Sequence, residues 1–293
     1  MILKEAHTKF IENLGQKNKA SATVIAYKKD LEQLLAHLNK NNIFDAKDVT
    51  DKHIKSFMEG LLSTGYTPKS ISRKTNSTKT FFKYLHEEIK IISSNPSNLV
   101  THPKLSKTTP RVLTKMEYSA LRDVVKTDIR TSAILEILLQ CGIRISELSN
   151  IRINDIKIAK NCEKEQGSLH IPKNAGAIER DIPLNTVAQK TIIKYLEIRP
   201  KNSKEFLFVT KTGKQLLIRN IRSTLAKYFN TIGLKGVKVN DLRHTFISYH
   251  LQIGTPIYVV SKIAGHKRIS TTEKYLDYIE VSAKKSTVKL EEL

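Results

Sequence analysis

Apolar residues recur every three or four positions along most of this chain, the spacing of helices that bury one face. Residues 1–90 read as four such helices. Leu3, Phe10, Ile11 and Leu14 mark the first. Val24, Tyr27, Leu31, Leu34, Leu35 and Leu38 form the stripe of the second, with Ser21 as its cap. Asp51 starts the third, which carries Ile54, Phe57, Met58, Leu61 and Leu62 on one face. Thr67 and Pro68 are an N-cap and first-turn pair opening the fourth, where Ile71, Phe81, Phe82 and Leu85 face inward. The helical period then stops. Residues 91–112, rich in Ser, Pro, Asn and Thr, read as a linker.

A second region begins at 113. Thr114 and Glu117 have the spacing of a capping box, and Leu113 with Tyr118 the spacing of a hydrophobic staple. Ile134, Leu135, Ile137, Leu138 and Leu139 predict a central buried helix. Two β-rich arms, Leu169–Pro172 and Ile178–Pro183, flank Asn174-Ala175-Gly176 and predict a hairpin with Lys173 at the end of its first arm. Amphipathic helices follow in NTVAQKTIIKYL and IRNIRSTLAKYFNTIG, the second ending at Gly233. The apolar FLFV between them fits a strand or a buried turn.

From Val239 to Leu276 the punctuation is dense. Asp241 can cap a helix that carries Arg243 near its start and Phe246 and Leu251 among its apolar positions. Gly254 ends it and Pro256 opens the next. Gly265 is a left-handed C′ residue that turns the chain and presents His266. A last short helix brings Tyr275 back toward the same place. Upstream, CGIRISEL puts Arg144 just after another glycine turn. Two arginines, a histidine and a tyrosine together suit phosphoryl transfer to a phenol. Guanidinium groups stay ionised and make paired bonds to phosphate oxygens. Glu147 lies close to Arg144 and orients it, and no carboxylate constellation for Mg²⁺ is apparent. Tyr258, His244 and His250 lie nearby, but helical spacing turns the two histidines elsewhere.

Composition narrows the partner. The 293 residues carry a formal charge of +22. Residues 1–100 hold 16 basic and 10 acidic side chains, and 101–293 hold 34 and 18. Both halves are basic, so nucleic acid is the expected partner. The helix face with Ser70, Arg73, Lys74, Ser77 and Lys79 suits phosphate contacts. No run of about 18 apolar residues predicts a membrane span, and MILKEAHTKF lacks a signal-peptide core, so a cytoplasmic location is expected. Cys141 and Cys162 make neither a disulfide framework nor zinc spacing.

The ordered set R-x-S-E-L, L-R-H-T-F, A-G-H and S-T-T-x-x-Y, carried by Arg144, Arg243, His266 and Tyr275, resembles the tyrosine recombinases, most closely the Xer-like and integron-like integrases. The likeness spans nearly the whole chain. It implies a mainly α fold with a small β-sheet or hairpin in the catalytic domain, forming a two-domain clamp on DNA. Residues 1–90 would be a helical, SAM-like DNA-binding domain, and 113–293 an α+β catalytic domain ending in a tail, Val281–Leu293, that docks on a neighbouring subunit. It further implies a homotetramer on double-stranded DNA bearing a specific site, with no metal and no cofactor. Strand exchange would proceed through a 3′-phosphotyrosyl intermediate on Tyr275, with Lys173 as the acid for the 5′-oxygen. One position departs: the family has H-x-x-R where this chain has N-D-L-R, so Asn240 replaces a histidine. An amide can bond a phosphate oxygen but carries no titrating proton. Two alternatives stay open: a DNA-binding protein that has lost chemistry at Asn240 and acts architecturally or as a repressor, and a relaxing enzyme similar to type IB topoisomerases that shares the tyrosine.

Overall fold

The computed structural model describes residues 1–106, 109–173, 177–201, 205–277 and 279. Its chain clusters into two units, Met1–Thr108 and Thr109–Leu293.

The first unit is built on helices α1 (Leu3–Gln16), α2 (Ser21–Lys40), α3 (Asp51–Ser63) and α4 (Pro68–Lys83). The expected stripes meet in one core that includes Phe10, Leu31, Leu34, Leu38, Ile54, Phe57, Phe81 and Phe82. Phe10 meets Phe81 edge-on, with ring centroids 5.4 Å apart. Thr67 caps α4 by accepting the Ser70 N–H at 3.3 Å. Ser21 does not cap α2. It is the first helical residue, and Ala20 precedes it without a side-chain cap. After a π-helical turn at Tyr84–Glu88, the stretch expected to be free linker lies against this unit: Ile92 and Val100 are buried in its core. Sparse apolar residues among Ser and Asn have no period, yet two of them are enough to anchor it.

One expected DNA-contact face is corrected. Asp30 of α2 is buried and draws α4 toward it, accepting from Lys74 Nζ at 2.9 Å and Ser77 Oγ at 2.9 Å, and pairing with Arg73. Lys74 is 5% exposed and also donates to Gln33 at 2.6 Å. Lys74 and Ser77 are therefore internal, because a buried carboxylate demands partners. Ser70 and Lys79 are partly exposed, and Arg73 is exposed.

In the second unit the capping box is present: Thr114 Oγ1 accepts the Glu117 N–H at 3.2 Å, and Glu117 accepts the Thr114 N–H at 2.8 Å. It opens α5 (Lys115–Val125). Helix α6 (Ile129–Cys141) is central and almost wholly buried. After α7 (Ile145–Asn150) come three antiparallel strands in the order β1 (Ile156–Lys157), β2 (Gly167–Ile171) and β3 (Arg180–Leu184). The hairpin registers Leu169 opposite Ile182 and Ile171 opposite Arg180. Its Asn174–Gly176 tip lies outside the described residues. Helices α8 (Thr186–Ile198) and α9 (Ile218–Thr231) pack on the same core. FLFV is not part of the sheet. Leu207, Phe208 and Val209 are buried, joined to Ser149–Arg152 and Gln215 only by isolated bridges and single bonds. Helices α10 (Val239–Gln252), α11 (Ile257–Ala264) and α12 (Ser270–Glu273) complete the unit. Asp241 acts at the third position of α10, where it accepts the Lys238 N–H at 2.7 Å. The Val281–Leu293 tail lies outside the described residues.

Candidate active site

Two left-handed glycines set the site. Gly142 ends α6 at φ +58° and Gly265 ends α11 at φ +68°. A Cβ at Gly142 would lie 2.1 Å from the Phe246 ring, and one at Gly265 would lie 2.7 Å from the Arg180 guanidinium. Only glycine fits either turn. Their backbone oxygens then face arginines: Arg243 donates to Gly142 O at 2.6 Å and to Ala264 O at 2.6 Å, and Arg144 donates to Gly265 O at 2.8 Å.

Glu147 lies beneath this pair. Its carboxylate accepts the Arg144 N–H at 2.8 Å and the Arg144 guanidinium at 3.0 Å. From β3, Arg180 reaches the same carboxylate at 3.1 and 2.9 Å and also donates to Ile263 O at 2.7 Å. Burial pushes the Glu147 carboxyl up, but the bonds and charges of Arg180 and Arg144 outweigh it and hold the group below the usual carboxylate range. Arg180 was not anticipated from sequence. The signal was present: it shares the inward phase of β3 with Ile182 and Leu184, where a cation needs a buried acid.

Arg243 is 4% exposed; burial and the neighbouring Arg144 charge bring it down to about 10, so it is still ionised at neutral pH. His266 follows Gly265, and its Nδ1 pairs with Thr272 Oγ1 at 2.7 Å, leaving Nε2 free for a ligand. Burial, reinforced by Arg243, Arg144 and Arg180, lowers its pKa to about 4, so the ring is neutral. Tyr275 stacks on it with ring centroids 6.5 Å apart. The tyrosine is 6% exposed and belongs to a small apolar cluster with Phe246, Ile247, Val260 and Ala264. Burial raises its phenol pKa and Arg243 acts to lower it.

Arg144, Arg243, His266 and Tyr275 thus lie in one neighbourhood: the two arginines act on each other and on His266, and Tyr275 stacks on His266. Lys173 stands exposed just past β2, at the turn end of the hairpin. His244 requires a correction. Its Nδ1 is 2.5 Å from the Tyr275 hydroxyl, and its Nε2 is 2.8 Å from Asn240 Nδ2. Spacing within α10 could not show this, because the tyrosine returns from α12 along the flank where residues 240 and 244 stack one turn apart. Asn240 is exposed and meets the site through that ring. His250 does turn away, packing on Phe246 at 4.4 Å, and Tyr258 is exposed.

The Phage integrase family model matches residues 111–280, and the family's N-terminal SAM-like domain matches residues 8–88. The chain belongs to the phage integrase family. Its relatives among these tyrosine recombinases include Tyrosine recombinase XerC of Natranaerobius thermophilus, 32% identical over 281 residues, 91% of this chain and 91% of that one. XerC of Roseiflexus castenholzii is 28% identical over 282 residues, 91% of this chain and 86% of its own. The fold is shared with a lambda integrase dimer bound to a COC′ core site, at a TM-score of 0.74 and 18% identity, covering 92% of this chain and 97% of that one. The family's activity is the chain's: site-specific recombination of DNA by a tyrosine-type recombinase. Among the described residues no helix is long and apolar enough to cross a membrane.

Proposed function

We propose that Tyr275 attacks a scissile phosphodiester held between Arg144 and Arg243, forming a 3′-phosphotyrosyl bond and releasing a 5′-hydroxyl. The observation that carries this reading is the grouping of Arg144, Arg243 and His266 beside the Tyr275 ring, which stacks on His266 and feels the Arg243 charge. A pentacoordinate phosphate gains charge on its non-bridging oxygens as the phenol attacks. Two forked cations and the neutral His266 Nε2–H answer that charge from fixed positions, which is electrostatic preorganisation. Glu147 and Arg180 hold the Arg144 side chain so that little reorganisation accompanies the reaction. Lys173, on the hairpin, delivers a proton to the departing 5′-oxygen. The phosphotyrosyl ester keeps the energy of the broken bond, so a second strand's 5′-hydroxyl reseals it without ATP.

The partner in this reading is double-stranded DNA carrying a recombination site, as for the lambda integrase bound to its core site. The protein acts as a homotetramer over two duplexes, in the cytoplasm, and needs neither metal nor cofactor. In the first unit Arg73, Ser70 and Lys79 remain for phosphate contact, and Asp30 braces the helix that presents them.

A nicked suicide substrate, which loses its 5′-hydroxyl fragment after cleavage, tests the proposal. Wild type should accumulate a covalent protein–DNA adduct in EDTA, and Tyr275→Phe should bind the site equally and form none. An adduct of normal yield in Tyr275→Phe would refute it.

A further inference from the structure

The structure assigns His244 a catalytic part in this reaction, as a neutral N–H donor to the nucleophilic oxygen of Tyr275, with Asn240 as the positioning residue that selects its tautomer. The inference deepens the reading of Tyr275 as nucleophile and rests on it.

His244 has one ring nitrogen on each of two partners. Asn240 turns its amide nitrogen to Nε2 at 2.8 Å, and an amide nitrogen can only donate. Nε2 must then be the lone-pair nitrogen. Burial, with Arg243 adding to it, lowers the His244 pKa against the opposing pull of Asp241, so the ring is neutral near pH 7 and holds a single N–H. That N–H is on Nδ1, 2.5 Å from the Tyr275 oxygen. The phenol oxygen therefore receives a hydrogen bond before any DNA arrives, and its own proton points elsewhere. The charged and titratable groups around the ring are Asp241 and Arg243 on its own helix, His266 from the α11–α12 turn, and Tyr275 itself.

The consequence for the reaction is specific. As the Tyr275 Oη–P bond forms and the P–O5′ bond breaks, the phenol proton passes to solvent water and the 5′-oxygen gains a proton. His244 neither gains nor loses one. Its hydrogen bond to the phenol oxygen strengthens as the phenol loses its proton, and on religation it supports the same oxygen as it leaves phosphorus. Asn240 has no proton to trade, yet it fixes which nitrogen of His244 carries one. Where the family has a histidine, this chain places an amide that acts through the next histidine along the helix face.

Three variants test this on the full chain, with DNA binding and two chemical readouts measured. His244→Ala removes the donor; His244→Asn places an amide N–H where Nδ1 stood but cannot accept a proton at neutral pH. Asn240→Asp can only accept, so it forces the proton onto Nε2 and turns the Nδ1 lone pair on the phenol. Single-turnover cleavage at saturating suicide substrate should fall about 100-fold in His244→Ala, the usual loss for one donor to a developing oxyanion. It should recover to within about fivefold of wild type in His244→Asn, and fall again in Asn240→Asp with a new pH dependence. In the DNA-free protein, ¹³C NMR titration of Tyr275 should show its pKa higher by about one pH unit in His244→Ala. Cleavage in His244→Ala within about threefold of wild type, with an unmoved Tyr275 titration, would overturn the proposal. Equal loss in His244→Asn and His244→Ala would overturn it too, because the ring would then be accepting the proton. Failure of wild type itself to form an adduct would instead sink Tyr275 as nucleophile, and the DNA-free titration would still decide the His244–Asn240 pairing.

Discussion

Each unit contains a buried carboxylate held by two cations, and the two are put to different use. Asp30 is enclosed by Lys74, Arg73 and Ser77, with Lys74 itself buried. Glu147 is enclosed by Arg144 and Arg180, and there the inner cation is Arg180 while Arg144 keeps a third of its side chain exposed. The first cluster joins two helices through the buried Lys74 and leaves half of the Arg73 side chain exposed. The second buries Arg180 against the acid and leaves a third of the Arg144 side chain exposed beside Arg243. Buried ion pairs of this kind are weak evidence for stability in themselves. What distinguishes the second cluster is its neighbours: Arg144 lies beside Arg243 and His266, and Tyr275 stacks on His266.

The largest effect should come from removing the acids. Glu147→Ala strands Arg180 with no counter-charge, and loss of one partner of a buried pair costs about 3–5 kcal/mol. Hydrogen exchange on the full chain should show α6 amides opening faster while those of α2 do not change. Asp30→Ala should do the reverse, by somewhat less, since Arg73 can turn to solvent. Similar losses in both units from either change would mean the clusters are not separate braces.

Next is Arg144→Lys, which keeps the charge and loses the fork. Cleavage should drop about 100-fold or more with α6 protection nearly unchanged. A loss under about threefold would make Arg144 a brace for Glu147 and nothing more.

How much of this contrast is legible in the chain varies with how local its cause is. Gly142, Gly265 and the Thr114–Glu117 box are local devices and stand out, and so do Arg144, Arg243, His266 and Tyr275, each tied to a turn or helix start. Lys74 and Ser77 were misjudged because the acid that buries them is more than forty residues away in α2. His244 was turned away from the site because a helix period fixes faces only relative to the helix, and Tyr275 arrives on a path set by α12. β1 has two residues, too few for any alternation to show.

Acid should separate the clusters more gently. Glu147 has a lowered folded pKa, so its stabilisation is present above about pH 4.3 and lost as pH falls through the lower folded value. His266 is also lowered, to about 4, so the unfolded chain takes up its proton first and stability declines as pH falls from about 6.5 toward 4. Hydrogen exchange in α6 should accelerate across that range, and His266→Asn should reduce the part above pH 4, the remainder coming from His244 and His250, which burial also lowers. The smallest effect belongs to Lys79→Ala, which should reduce the slope of log K against log salt by about one and leave cleavage of bound DNA alone.

Single-turnover adduct formation at saturating DNA, compared between Arg144→Lys and Asp30→Asn, tests the division of roles most directly. Arg144→Lys should be slower by about 100-fold or more, and Asp30→Asn should cleave bound DNA within about threefold of wild type. The opposite order, or equal losses, would contradict the assignment of the Glu147 cluster to chemistry and the Asp30 cluster to structure.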